Sequence, residues 1–342
     1  MHELTMSGSE IGIVQRLLGD LSGAYHSVED PEFLRDLPVA AQELPRRIRM
    51  FFNDFRLSEP DGACLIAGYP VDQDGIGPTP RHWKNQDTPS PTLPEEMFFM
   101  LCGSLLGDVF GWATQQDGHL VHDVIPIKEH EREQIASGSQ QLIWWHTEDA
   151  FHPFKGDYVA LMCLRNPDRV ETTVASAERI PWDEQDLDTL FEANYYIRPD
   201  ESHLPKNRGS ERLDDGTARL LDAAYQRIAD MNANPRKRPI LSGDRESPYL
   251  CLDPYFMDID QIDGPARQAL DRLSKAIDAT LEPLVLEPGD CCFIDNYKAV
   301  HGRNPFKARY DGTDRWLKRL NITRNLRDSR PARRSSATRV VF

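Results

Sequence analysis

The sequence lacks features that several classes of protein require. Its six cysteines form no CxxC pair, and Cys291 and Cys292 are adjacent, which suits neither a zinc knuckle nor a disulfide framework. We therefore expect small buried thiols and a reducing compartment. The longest apolar run, residues 97–113, is broken by Ser104 and Asp108 and is too short to span a bilayer. The first residues show no basic signal-peptide pattern, so the sequence predicts a cytoplasmic protein without a membrane span.

Positive charge is also scarce. The chain has 40 lysines and arginines against 55 aspartates and glutamates, which gives a formal net charge of −15. Because nucleic-acid backbones are bound by basic surfaces, this balance disfavours a nucleic-acid partner. The one basic cluster runs from Arg324 to Arg339, and we interpret it as a solvated tail. The sequence does not indicate an oligomeric state.

The first third of the chain has the pattern of amphipathic helices. Apolar residues at helical spacing predict helices over residues 9–24 and 41–57, and a third helix over 94–106. A short strand is predicted over 63–68. Residues 72–94 are rich in Pro, Gly, Asp and Thr, which indicates a loop.

From about residue 112 onward, short runs of β-favouring residues dominate. Two helices interrupt them, over residues 183–194 and 264–281. Strands are predicted over residues 119–127, 141–148, 157–164, 172–176, 239–242, 248–253, 284–286, 291–295 and 315–323.

Many short strands with turn punctuation predict a mainly β fold with helices (α+β), here a double-stranded β-helix or jelly roll wrapped by α-helices. We expect a single domain over residues 1–342. Its expected parts are a helical part at about 9–110, a jelly-roll core at about 112–325 with a lid-like insertion at about 200–238, and a basic tail at 326–342.

A candidate metal site begins at residues 144–151. His146 and Glu148 are two positions apart after an apolar run, so in a strand their side chains project from one face. With a distant third ligand, for which His301 is the candidate, they form the two-histidine, one-carboxylate set of non-haem Fe(II) oxygenases. Taken singly, each residue could equally be a hydrogen-bonded polar group of the core.

Two arginines extend this pattern. Arg315 and Arg319 lie in the predicted strand 315–323, on the same face. Forked guanidiniums bind carboxylates in bidentate fashion, so this face suits two separate carboxylates. One would belong to a dicarboxylate cosubstrate and the other to an α-amino acid. Alone, either arginine could be a surface charge.

With these residues the chain resembles the clavaminate-synthase-like Fe(II)/2-oxoglutarate dioxygenases, and among them the free-amino-acid β-hydroxylases, notably those acting on L-arginine. The resemblance extends from about residue 38 to about residue 330. The matching stretches are residues 106–118, 146–151, 164–168, 293–296, 299–303, 309–312 and 314–323.

The resemblance implies that His146, Glu148 and His301 hold Fe(II) and form the catalytic centre. It assigns Arg315 to the distal carboxylate of 2-oxoglutarate, the cosubstrate used with O2. A hydroxyl of the pair 172–173 would assist, and we choose Thr173 of the two. Structural roles are expected for His152 and His203, although both could line the site.

The resemblance also implies a substrate subsite. Arg319 would bind the substrate α-carboxylate, Gln115 and Glu148 would orient its α-amino group, and Ser202 would lie on a lid. The arginine hydroxylases hold the guanidinium with an Asp-x-Asp pair, of which Asp253 remains here while Tyr255 replaces the second acid.

We therefore expect hydroxylation at C3 or C4 of a free L-amino acid with a long nitrogenous side chain, L-arginine foremost, for a natural-product pathway such as antibiotic biosynthesis. The single acid also admits citrulline, lysine or ornithine. A desaturase or cyclase outcome on the same scaffold is one alternative. A non-enzymatic metal-binding β-barrel module is another.

Overall fold

The computed structural model describes residues 1–84, 89–208 and 214–342. These residues form the helices α1 (Gly8–Ala24), α2 (Pro31–Ala40), α3 (Arg46–Ser58), α4 (Leu93–Ser104), α5 (Glu184–Phe191), α6 (Asp215–Ala233) and α7 (Gly264–Thr280). They also form the strands β1 (His2–Thr5), β2 (Ala63–Ala67), β3 (Asp108–Trp112), β4 (Val121–Val124), β5 (Ile143–His146), β6 (Tyr158–Arg165), β7 (Thr172–Ser176), β8 (Leu241–Gly243), β9 (Pro248–Leu250), β10 (Glu282–Leu284), β11 (Cys291–Asp295), β12 (Ala299–Arg303), β13 (Trp316–Thr323) and β14 (Val340–Val341).

The strands form two main sheets. The larger sheet has the order β1-β2-β11-β6-β13-β3-β14, with β4 also paired to β13. The smaller sheet has the order β10-β7-β12-β5, and β8 and β9 form a separate two-stranded sheet. Strands distant in the sequence are therefore neighbours, as in a jelly roll. The predicted mainly β fold wrapped by helices is confirmed.

Strand alternation divides the large sheet into two faces. On β6, Leu161 joins the apolar cluster between the sheets, whereas Met162 joins the cluster formed with the N-terminal helices. On β13, Leu317 lies in the inner cluster. Because side chains two positions apart share a face, Arg319 also projects into the interior from this strand. The sheet thus carries polar groups into an otherwise apolar space.

Helices cover the outer face of each sheet. Helices α1 to α4 pack on the large sheet, with Val14, Phe52 and Phe98 fully buried. Helices α5 to α7 pack on the small sheet, where Ile277 of α7 and Val300 of β12 share one cluster. Each fully buried side chain of this size stabilises the fold by about 1.5–3 kcal/mol. This packing fixes the strands that carry the site.

The predicted helices are present with shifted ends, and α2 was not predicted. The predicted loop at 72–94 has no helix or strand among its described residues before α4 begins, and residues 85–88 lie outside the described residues. In the lid-like insertion, α6 forms most of the second half, and residues 209–213 again lie outside the described part.

The structure of the basic C-terminal segment corrects one prediction of the sequence analysis. We expected a solvated tail, and Arg324, Arg327, Arg330 and Arg334 are exposed. However, Arg333 is buried and β14 pairs in parallel with β3. Val341 is only 1% exposed, in a cluster with Phe110 and Trp112. The tail is ordered because it buries apolar side chains and completes the sheet.

All six cysteines are free thiols, and five of them are buried, as the sequence predicted. Within the described ranges, none of the helices has the length and apolarity needed to cross a membrane.

Candidate active site

The two predicted histidine ligands face each other across paired strands. His146 on β5 and His301 on β12 are register partners, and their ring centroids are 4.6 Å apart. Glu148 Oε2 lies 3.5 Å from His146 Nε2 and 3.4 Å from His301 Nε2. The predicted strand to residue 148 is wrong at its end, because β5 stops at His146. The carboxylate still reaches the histidines from the following turn.

The donor atoms fit a divalent iron. One ligand atom from each of the three residues lies within 4.8 Å of the others, so a single ion could contact all three. His146 Nδ1 donates to the Trp144 carbonyl at 2.9 Å, which leaves Nε2 unprotonated on the neutral ring. His301 Nδ1 is buried and has no hydrogen-bond partner in the described part of the chain.

The charges of the three residues are strongly coupled. Burial alone would raise the pKa of Glu148, but Arg319 and the two histidines hold it well below its usual range. Burial opposes protonation of His146, yet Glu148 and Asp253 raise its pKa to about 9. Burial lowers the pKa of His301. A carboxylate that stays ionised between two imidazoles is suited to binding a cation.

Arg315 lies on the same inner face and is 5% exposed. Its Nη2 donates to the hydroxyl of Thr172 at 3.1 Å. Thr172 is buried and lines the cavity, whereas Thr173, our prediction, is the register partner of Gly302 and is not part of the lining. The correct neighbour of Arg315 is therefore Thr172.

Arg319 is the centre of a hydrogen-bond network. Its Nη1 donates to Glu148 Oε1, and its Nη2 donates to Gln115 Oε1 at 2.8 Å and to His122 Nδ1 at 2.9 Å. His122 Nε2 in turn donates to the His119 carbonyl at 3.0 Å. Burial and the charge of Arg319 hold the pKa of His122 well below its usual range, so His122 is a neutral acceptor.

A short 3-10 helix, Glu201–His203, connects to this network. Gln115 Nε2 donates to Ser202 Oγ at 2.6 Å. His203 is fully buried, and its Nε2 donates to Asp149 Oδ1 at 2.9 Å. Ser202 therefore faces the site. His203 connects the 3-10 helix to Asp149, the residue that follows Glu148.

Asp253, Tyr255 and Asp200 also line the cavity. Asp253 is 8% exposed, whereas Tyr255 is 48% exposed. Burial, reinforced by the negative charge of Asp200, raises the pKa of Asp253 to about 6, although His146 opposes this. Backbone N–H groups of the following turn also bind the Asp253 carboxylate. The cavity lining thus includes two acids, of which Asp200 also accepts from the N–H and the hydroxyl of Ser202.

The structure brings the predicted site residues to one cavity with the exception of Thr173. They are Gln115, His146, Glu148, Ser202, Asp253, Tyr255, His301, Arg315 and Arg319. Sequence reasoning missed four residues that support or line this cavity: His122, Asp149, Asp200 and Asn296. Each lies in or beside a loop or on a short strand, where no periodic pattern marks its direction. Only tertiary contacts position these four residues.

Two histidines and one carboxylate that converge in this way form the ligand set of the non-haem Fe(II) oxygenases. Comparison with known proteins agrees. Residues 94–321 match the model of the taurine catabolism dioxygenase TauD, TfdA family, and the chain belongs to this family.

Several relatives match the chain over its whole length. It is 50% identical to an L-ornithine/L-arginine 3-hydroxylase of Catenulispora acidiphila and 42% identical to an enduracididine beta-hydroxylase of Streptomyces hygroscopicus, with 100% of both chains covered in each case. A crystal structure of the non-heme iron oxygenase OrfP with Fe, succinate and (3S)-hydroxy-L-Arg superposes with a TM-score of 0.93 at 47% identity, again over 100% of both chains.

Proposed function

We propose that this chain is an Fe(II)/2-oxoglutarate-dependent hydroxylase of a free L-amino acid with a cationic side chain, L-arginine foremost, acting at C3. The observation that carries the proposal is the polarity of one cavity. His146, Glu148 and His301 converge in a cavity whose lining also includes two inward arginines and two acids, Asp200 and Asp253. The two arginines suit the carboxylates of 2-oxoglutarate and of the amino acid, and the acids suit a guanidinium.

The three converging residues are proposed to hold iron. When bound, Fe(II) with 2-oxoglutarate and O2 supplies oxidative decarboxylation to succinate and CO2, coupled to insertion of one oxygen atom into a C–H bond. Arg315, with the hydroxyl of Thr172 beside it, binds the distal carboxylate of 2-oxoglutarate. Burial of Arg315 keeps this ion pair in a low dielectric, which strengthens it.

The amino-acid head group is proposed to bind beside Glu148. Arg319 takes the α-carboxylate through its fork. The α-ammonium is held by Gln115 Oε1 and Glu148 Oε1, the two oxygens that Arg319 contacts in the structure. Glu148 thus has two roles: Oε2 lies beside the two histidines, and Oε1, which accepts from Arg319, would bind the substrate.

The side chain of the substrate is proposed to extend toward Asp253 and Asp200. Asp253 is buried, and a buried carboxylate is unfavourable unless it is paired. Asp200 is partly buried and adds a second negative charge near Asp253. Asp200 supplies the second charge that Tyr255 does not. With both ends of the substrate held, the carbons nearest the head group lie nearest the iron site, which favours attack at C3.

The relatives support this substrate class. The 50% identical relative is named for ornithine and arginine, and OrfP has been solved with Fe and L-Arg and with Fe and alpha-ketoglutaric acid. Ornithine is therefore the second candidate. Its shorter cation reaches less far toward Asp253, so we expect a higher KM than for arginine.

The test is a product analysis. Purified protein with Fe(II), ascorbate and 2-oxoglutarate is incubated with arginine, ornithine, lysine, citrulline and leucine, and products are followed by mass spectrometry and NMR. We expect succinate and a product heavier by one oxygen atom, hydroxylated at C3, from arginine first. Loss of two hydrogens would show desaturation or cyclisation instead. Preference for leucine would refute the assignment of the acidic wall.

A further inference from the structure

A second guanidinium, that of Arg303, lies beside Arg315 in the wall of the same cavity. Arg303 ends β12 two positions after His301, so strand alternation directs both side chains to one face. Its register partner on β7 is Thr172, whose hydroxyl accepts from Arg315 Nη2 at 3.1 Å. Two arginines, each 5% exposed, therefore flank one threonine.

Arg303 is held rigidly, but by uncharged partners. Its Nη1 donates to the Gly138 carbonyl and its Nη2 to the Gln141 carbonyl at 2.9 Å. The guanidinium lies over the ring of Phe306, 5.1 Å from the centroid. Within residues 1–84, 89–208 and 214–342, no carboxylate forms an ion pair with it, and its Nε has no hydrogen-bond partner.

Arg315 likewise has only an uncharged partner. It is buried, its Nε has no hydrogen-bond partner among the described residues, and its one side-chain bond goes to a neutral hydroxyl. Two buried cations without an acid between them are unfavourable, and a bound anion would relieve both.

We propose that Arg303 is a second cationic residue of the 2-oxoglutarate subsite, which makes that subsite selective for a 2-oxo acid carrying a distal carboxylate. The inference rests on the proposed function. Arg315 forms the direct hydrogen bonds to the distal carboxylate. Arg303 adds its positive charge at short range while its N–H groups are occupied by the two carbonyls.

The experiment measures binding rather than turnover. The Fe(II) protein is titrated without oxygen with 2-oxoglutarate, and separately with 2-oxopentanoate, which has the same chain length without the distal carboxylate. The visible absorption of the iron–2-oxo acid chelate gives each Kd. We compare the parent chain with Arg303→Met, Arg303→Lys and, as a matched control, Arg245→Met, whose arginine is more than half exposed beside Asp188.

We expect Arg303→Met to raise the Kd for 2-oxoglutarate about 10- to 100-fold, because a desolvated charge acts strongly on a nearby anion. The Kd for 2-oxopentanoate should change by less than about 2-fold, and Arg245→Met should leave both unchanged. Arg303→Lys restores the charge but not the fork, so it should recover most of the lost affinity. The lysine variant also provides a test if the methionine variant does not fold.

Three results would overturn the inference. The first is that Arg303→Met binds 2-oxoglutarate with the Kd of the parent chain. The second is that Arg303→Met raises the Kd for both 2-oxo acids equally. The third is that Arg303→Lys binds 2-oxoglutarate as weakly as Arg303→Met does. The last result would show that Arg303 only supports residues 138–141. A parent chain that gives no chelate absorption with either acid would instead refute the proposed function, and this inference with it.

Discussion

At the scale of single residues, the site depends on side chains that serve two partners at once. Glu148 faces both histidines with one oxygen and accepts from Arg319 with the other. Arg319 in turn holds Glu148, Gln115 and His122. Because each group is fixed by several others, replacing one member changes the geometry offered to the substrate as well as a single contact.

Arg319→Lys tests the head-group subsite. Lysine keeps the positive charge but cannot bind Glu148, Gln115 and a carboxylate with a planar fork. We expect the KM for arginine to rise about 10- to 100-fold, which corresponds to about 1.4–2.8 kcal/mol. Steady-state kinetics at saturating 2-oxoglutarate provide the measurement.

The control for this variant is the cosubstrate. Its Kd for 2-oxoglutarate, measured in the absence of amino acid, should stay within about 2-fold of the parent value because Arg315 is untouched. A KM that rises for 2-oxoglutarate and not for arginine would reverse the roles assigned to the two arginines.

Asp253 predicts a pH dependence for substrate binding. Its pKa of about 6 lies above the ordinary value, so its carboxylate is neutral below that pH and charged above it. A guanidinium binds the charged form, and its Kd should therefore rise as pH falls through about 6, approaching 10-fold per pH unit. Calorimetric titration with arginine between about pH 5 and about pH 8 measures this.

Asp253→Asn separates this effect from the titration of other groups. The amide cannot ionise, so arginine should bind weakly at every pH and the part of the profile due to Asp253 should vanish. Iron content, measured at each pH, shows whether the metal site is intact. Identical profiles for the two proteins would mean that Asp253 only caps its turn.

At the scale of elements, the site is built where β5, β12 and the turn after β11 meet. Asn296 in that turn is fully buried. Its Oδ1 accepts from the Glu148 N–H at 2.7 Å, and its Nδ2 donates to the carbonyls of Glu148 and Gly156 at 2.9 Å each. One side chain therefore fixes the backbone on both sides of a proposed iron ligand.

Asn296→Ala should loosen that ligand. Three buried backbone groups lose their partner, which we expect to destabilise the fold by about 2–4 kcal/mol and to weaken iron binding at least about 10-fold. Chemical denaturation and a metal titration measure the two effects. Asn194→Ala, which removes side-chain bonds to the Thr189 carbonyl and to Glu192 at a position that does not line the cavity, is the matched control. Equal iron affinities in both variants would contradict a positioning role.

The elements with strong patterns could be predicted from the sequence, and those without could not. Helices α1, α3 and α7 follow regular apolar spacing. Helix α2 contains Pro38, which interrupts the helical pattern. Strand β12 carries His301 and Arg303 on its inner face, so it shows no apolar alternation. The polar functional residues themselves interrupt the apolar alternation by which their strand would be recognised.

The site was predictable to the same extent. Residues in motifs, such as His146 and Arg315, could be placed from spacing and resemblance. The choice between Thr172 and Thr173 could not, because a one-residue shift in strand phase exchanges the two faces. Asp200 lies in a loop far from Asp253 in the sequence, and only the folded chain brings the two acids to one wall.

At the scale of the whole molecule, the C-terminal segment contacts both the large sheet and helix α6. The Gly111 N–H donates to the Arg339 carbonyl at 3.1 Å and the Ala113 N–H to the Val341 carbonyl at 2.8 Å. Beside this strand, Val340 and Phe342 pack on a small cluster that includes Tyr225 of α6. The segment therefore connects the large sheet with the helix that follows residues 209–213.

Val341→Asp tests this connection. A carboxylate in the cluster with Phe110 and Trp112 would be buried without a partner, so we expect a loss of about 3–5 kcal/mol in the free energy of unfolding. Val39→Asp is the matched control, because Val39 is 71% exposed and the same change there should cost less than about 0.5 kcal/mol. Similar denaturation midpoints for the two variants would show that the segment contributes little.

The pairing of His146 with His301 has a consequence for the supply of the protein in a cell. The two rings come from strands far apart in the sequence, so the iron site exists only in the fully assembled sheet. A ligand that binds only the native state stabilises it by mass action. We therefore expect iron-starved cells to contain less of this protein as well as less of its activity, because the metal-free chain opens more often to proteases.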